Sequence, residues 1–134
     1  MMLYLDNAAT TLKKPLSVYA TLFKSTLFSG GNAGRGGHKM SMDAVRAIVD
    51  TQDLIAQLFN IKKAENVVFT QNATYALNTA ILGTMSNGGH IVVTEMDHNS
   101  VLRPACLSGN YTVVRADKSG YVHAEDVEKA VRKD

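Results

Sequence analysis

Apolar positions along the chain fall first into two stretches with helical spacing. Leu16, Tyr19, Ala20, Phe23 and Leu27 recur every three or four residues just after Pro15, which predicts a helix over 16–28. Val45, Ile48, Val49, Ile55, Leu58 and Phe59 do the same over 43–59, interrupted by the polar Gln52. Between them, positions 29–38 hold five glycines in ten residues, too many for regular structure, so a loop is expected there. The rhythm then changes. Val67-Val68-Phe69, Ile91-Val92-Val93 and Tyr111-Thr112-Val113-Val114 are short β-prone runs separated by helix-length segments, the first of these over about 73–84. Uniformly apolar strands alternating with helices predict parallel βαβ units in an α/β sandwich. The segment 124–133 begins with Glu125, Asp126 and Glu128 and ends with Lys129, Arg132 and Lys133, an order that suits a helix dipole.

Composition narrows the function without naming it. The chain has 134 residues, 46% hydrophobic and 19% charged, enough for one modest core. A net charge of +2 with no basic tract gives no support to nucleic-acid binding. No apolar run is long enough to span a bilayer, and the N-terminus lacks the pattern of a signal peptide. With a lone cysteine, Cys106, no internal disulfide can form, and a cytoplasmic protein is the default. Cys106 is expected to be a buried small apolar residue within a helix.

In an open α/β sheet, ligands sit beyond the carboxyl ends of the strands. Two such ends carry chemistry. Thr70-Gln71-Asn72-Ala73-Thr74 opens a helix whose free N–H groups could hold an anion such as phosphate; plain N-capping by Asn72 or Thr70 is the simpler reading. Glu95-Met96-Asp97-His98-Asn99-Ser100 offers a histidine able to stack on a planar ligand or transfer a proton, or else a turn histidine beside a capping Asn99 or Ser100. Arg35 in the glycine loop is a candidate anion grip or a solvated side chain. That loop lacks the Gly-Lys-Ser/Thr ending of a nucleotide P-loop, and His38, His90, His98 and His123 show no metal-ligand spacing.

Four blocks, in order, resemble one family. Tyr4-Leu5-Asp6-Asn7-Ala8-Ala9-Thr10-Thr11 is similar to the opening of class V aminotransferases of the cysteine desulfurase and selenocysteine lyase type. Residues 32–41 resemble that family's Asn-Pro-x-Arg-x-x-His-x-x-Ser loop, and 68–78 its Phe-x-x-Gly-Ala/Thr-Thr-Glu-x-x-Asn segment. Asp97-His98-Asn99-Ser100-Val101 with Pro104 resembles its Glu-His-Asn-Ser-Val element. The departures are Ala33 for Pro, Asn72 for Gly, Tyr75 for Glu and Asp97 for Glu, and Asn72 raises the question of a backbone conformation that glycine alone adopts cheaply.

The resemblance implies the N-terminal portion of the type I fold of pyridoxal-phosphate-dependent transferases, three-layer α/β/α with mainly parallel strands and incomplete. It divides the chain into an arm, helix and glycine-rich loop over 1–40 and the start of the large cofactor-binding domain over 41–134. Ala73 and Thr74 match the pair that holds the phosphate of pyridoxal 5'-phosphate. His98 matches the histidine that stacks on the pyridine ring and takes part in catalysis. Ala8, Ala9 and Thr10 match the substrate side of the pocket, with Arg35 and His38 near its entrance. The implied activity is conversion of L-cysteine to L-alanine with sulfur passed to an enzyme persulfide, in a homodimer with a sulfur-acceptor protein as partner and a role in iron–sulfur cluster assembly. A selenocysteine lyase, an aminotransferase, or a non-catalytic binding module are the alternatives. The cofactor-bearing lysine and the sulfur-receiving cysteine of that family lie beyond residue 134, so the chain is expected to be a fragment, inactive alone.

Overall fold

The computed structural model describes residues 3–133, which form two compact units divided between Val68 and Phe69. In the first unit, helix α1 spans Leu16–Phe28, directly after Pro15, and buries none of its residues. Helix α2 spans Lys39–Leu58. It begins a turn earlier than its apolar period suggests because His38 caps it, the ring Nδ1 accepting from Ser41 N–H at 3.4 Å. Its far end closes with Ile61 N–H on Ala56 C=O at 2.8 Å and Asn60 N–H on Gln57 C=O at 3.3 Å. Asn60 carries the positive φ of 54° that this closure requires, which asparagine tolerates better than most residues.

The glycine-rich loop folds onto the start of α2. Ser41, fully buried, donates its hydroxyl to Asn32 C=O at 2.7 Å. A Cβ on Gly31 would meet the Met40 carbonyl group and lie 2.6 Å from Ser41 N, so the backbone approach admits only glycine. Gly31→Ala is therefore expected to cost about 1–3 kcal/mol, because the Met40–Ser41 backbone has to move. Urea denaturation of the full-length protein measures this, and an unchanged midpoint would show that the loop yields freely.

The run Val67-Val68-Phe69 does not form a strand; it continues as unpaired extended backbone after the 3₁₀ turn Ala64–Asn66. A strand exists only through a paired neighbour, and none of the described residues pairs with it. Gln52, the polar break in the apolar period of α2, supplies the missing partner, donating Nε2 to Val67 C=O at 2.7 Å.

The second unit is a βαβ unit with flanking helices. Helix α3 spans Ala73–Met85, strand β1 Ile91–Thr94, helix α4 Asn99–Ser108, strand β2 Tyr111–Val114 and helix α5 Ala124–Ala130. The strands pair in parallel, Ile91 opposite Tyr111 through Thr94 opposite Val114, with α4 as the crossover. Val93, Ala105 and Val114 form the small core, and α4 packs on α3 and on both strands. Helix α5 stops at Ala130 rather than Lys133: Val131 is already extended (φ −68°, ψ 131°), and Arg132 reaches Asn110 Oδ1 at 3.2 Å.

Cys106 is exposed, against the expectation of burial. Helix phase explains this. The buried stripe of α4 runs through Ser100, Pro104 and Ala105, and one further residue turns about 100° away from it.

Between β2 and α5, Asp117 gathers a tight turn. Its carboxylate accepts from the Ser119 hydroxyl at 2.5 Å, Ser119 N–H at 2.8 Å and Tyr121 N–H at 3.0 Å, with His123 Nε2 at 3.3 Å. These donors, the Ser119 hydroxyl foremost, hold the Asp117 pKa at about 2. Since the folded value lies below the unfolded one, the turn's contribution is present above about pH 4 and fades as pH falls towards 2. Carboxyl-carbon NMR during acid titration should place the Asp117 midpoint near 2, and an ordinary carboxylate midpoint would mean the turn is open in solution.

Candidate functional site

The two chemically loaded strand-end segments of the sequence meet in the second unit. Asn72 is extended (φ −166°, ψ 171°), a conformation open to any residue, so asparagine in place of glycine strains nothing. Its Oδ1 caps α3 by accepting from Tyr75 N–H at 2.9 Å, as the simpler reading of that segment expects. The cap leaves the first two turn donors over. Ala73 and Thr74 N–H have no acceptor among the described residues and point along the positive end of the helix dipole. Capping and anion binding are thus compatible at this helix start, the cap occupying Tyr75 and the anion donors being Ala73 and Thr74.

His98 stands at the start of α4, held by the end of the sheet. The loop between β1 and α4 is stapled to both strands: Glu95 N–H donates to Val114 C=O at 2.9 Å, and Glu95 Oε1 accepts from Ala116 N–H at 2.8 Å. Asp97 folds back so that its Oδ2 accepts from Thr94 N–H at 2.7 Å. The next residue, His98, caps α4 itself, rather than Asn99 or Ser100: its Nδ1 accepts from Ser100 N–H at 3.1 Å, with the Ser100 hydroxyl 2.9 Å from the same atom. A backbone N–H can only donate, so Nδ1 is the unprotonated nitrogen of the neutral ring and Nε2 carries the hydrogen. Nε2 has no partner among the described residues.

Thr74, Asn78, His98, Asn99, Ser100 and Arg103 line one cleft of about 400 Å³. Arg103 is the charged side chain in this lining, and no carboxylate is present there. A cleft with free helix-start donors, a threonine hydroxyl, an arginine and no acid suits an anionic ligand. The exposed imidazole of His98 adds a flat face with a free N–H. These residues fit a phosphate joined to an aromatic ring, the chemistry of pyridoxal phosphate.

The other sequence candidates lie in the first unit, and the cleft lining includes none of them. Ala8, Ala9 and Thr10 form an exposed turn, closed by Thr10 N–H on Asp6 C=O at 3.1 Å and by Tyr4 Oη on Thr10 C=O at 2.7 Å. Arg35 is exposed, and His38 caps α2. Asn78, Ser100 and Arg103 line the cleft although sequence reasoning does not single them out as site residues. The readable signal for Ser100 is the proline four residues later, inside a helix, whereas Asn78 on the neighbouring helix leaves none.

Comparison with known proteins identifies the family and the fold. Residues 3–134 match the family described as Aminotransferase class-V. A probable cysteine desulfurase of Aeropyrum pernix is 40% identical over 105 residues, covering 75% of this chain and 25% of the relative. Cysteine desulfurase IscS of Dictyoglomus turgidum is 32% identical over 140 residues, covering 98% of this chain and 34% of the relative. A solved NifS-like protein superposes on all of this chain, and on 38% of its own, with a TM-score of 0.86 at 24% identity, which establishes a shared fold. The chain spans about a quarter to a third of the length of these curated relatives. With its α/β fold, its parallel strands and a match running from residue 3 to residue 134, the chain belongs to the class V aminotransferase family.

Proposed function

We propose that the full-length protein is a pyridoxal-phosphate-dependent cysteine desulfurase and that this chain supplies the phosphate side and one ring face of its cofactor site. The observation that carries the reading is the convergence of Thr74 and His98 on one cleft that holds a cation and no acid. Bound there, pyridoxal phosphate supplies an electron sink for the amino acid's Cα.

The chain's own residues do the rest. Ala73 and Thr74 N–H, with the Thr74 hydroxyl, hold the phosphate at the positive end of α3. Arg103 adds positive charge to the same cleft. His98, with Nδ1 tied to Ser100, presents its ring to the cofactor plane and its Nε2 hydrogen to the reacting side, where it can give and retake a proton. No lysine lines the cleft among the described residues, so the covalent anchor of the cofactor is supplied from elsewhere in the full-length protein.

In the overall reaction, L-cysteine and an enzyme thiol give L-alanine and a persulfide: the C–S bond breaks, an S–S bond forms, and Cβ gains a hydrogen. The relatives named as cysteine desulfurases favour this substrate over others of the superfamily. Incubating the full-length protein with cofactor, L-cysteine and a thiol reductant should release sulfide and alanine in equal amounts. Conversion of L-cysteine to its 2-oxo acid with the thiol retained, and with neither alanine nor sulfide formed, would point to an aminotransferase and refute the assignment.

A further inference from the structure

Helix α4 carries a proline in its interior, Pro104, which has no N–H to give to the carbonyl four residues earlier. That carbonyl belongs to Ser100, whose residue is 7% exposed. A buried carbonyl without a donor is costly, and the donor comes from another helix. Asn78 of α3 gives one Nδ2 hydrogen to Ser100 C=O at 3.4 Å and the other to Thr74 C=O at 2.8 Å. An amide NH₂ has two hydrogens, and here both have an acceptor. Ser100 in turn presents its N–H and hydroxyl to His98 Nδ1 at 3.1 and 2.9 Å. An unbroken hydrogen-bonded path therefore runs from Thr74 through Asn78 and Ser100 to His98, spanning the cleft that these residues line.

We propose that Asn78 is a positioning residue, fixing the separation of the phosphate-holding Thr74 and the ring-holding His98, and that Pro104 is what makes α4 dependent on it. Hydrogen bonds alone would not need this arrangement, since any residue but proline at 104 would satisfy Ser100 C=O within α4. Its effect is to hand the control of the α4 start to α3. The proposal rests on the cleft being a pyridoxal phosphate site, but its first readout does not.

The test compares Asn78→Ala, Pro104→Ala and the double variant in the full-length protein. The nitrogen-15 shifts of the His98 ring report which nitrogen is protonated, and cofactor titration reports affinity. The wild-type ring should have Nδ1 unprotonated. Asn78→Ala should move the ring towards a mixture of both neutral forms and weaken pyridoxal phosphate binding about tenfold. In the Pro104→Ala background, where the backbone N–H gained at position 104 takes Ser100 C=O, the same substitution should cost clearly less. Unchanged His98 shifts in Asn78→Ala, or effects of the two substitutions that simply add, would overturn the proposal. Asn78→Leu keeps the branched shape, removes both donors and adds no charge to the cleft, so it gives the same decision if the alanine variant does not fold. If the full-length protein takes up no pyridoxal phosphate, the proposed function fails, while the His98 shifts still decide whether Asn78 positions that ring.

Discussion

Replacing His98 by alanine in the full-length protein is expected to lower turnover of L-cysteine by about 10²–10⁴-fold, the range lost with a positioned acid–base group. The side chain has two separable jobs. Through Nδ1 it caps α4, and through its ring face and Nε2 it serves the cleft. Asparagine is among the best N-cap residues, so His98→Asn should keep the cap and lose the chemistry. Both variants should therefore be equally slow, while the alanine variant alone loses about 1 kcal/mol of stability. Turnover restored by asparagine would reduce His98 to a cap, and comparing kcat with melting temperature for the two variants decides the matter.

Thr74→Asp is expected to weaken pyridoxal phosphate binding about 100-fold, the result of placing a carboxylate beside a phosphate at contact distance in a half-desolvated cleft. The fold should tolerate it. Position 74 lies in the first turn of α3, where a negative side chain favours the helix dipole, so the melting temperature should hold or rise. Affinity and stability moving in opposite directions is the signature of a phosphate site. A cofactor affinity unaffected by the new charge would place the phosphate elsewhere.

How much of this is legible in the sequence follows from the range of the forces involved. Helix α1 begins and ends where its apolar period does, and β2 matches its β-prone run residue for residue, because both patterns are local. Val67-Val68-Phe69 has the same local character but no partner strand among the described residues, and β propensity without pairing leaves extended coil. Cys106 departs from expectation because its exposure is set by which face of α4 meets α3 and the strands, a tertiary fact.

The site divides in the same way. Asn72 as a cap is readable from residue type and position. That His98 caps α4 with its own ring, in place of Asn99 or Ser100, depends on a side chain turning back on the backbone, which spacing does not encode. Thr74 and His98 share a cleft because α3 and α4 pack together, and their order along the chain suggests this only through family resemblance. Asn78 is hidden for a physical reason: its importance arises from a hydrogen that Pro104, 26 positions later, does not have.

The most direct test of the central claim is a crystal structure of the full-length protein with pyridoxal phosphate bound. Phosphate oxygens are expected within hydrogen-bond distance of Thr74 N–H and its hydroxyl, with the pyridine ring stacked on the imidazole of His98. A phosphate bound away from the start of α3, or a ring out of contact with His98, would contradict that claim.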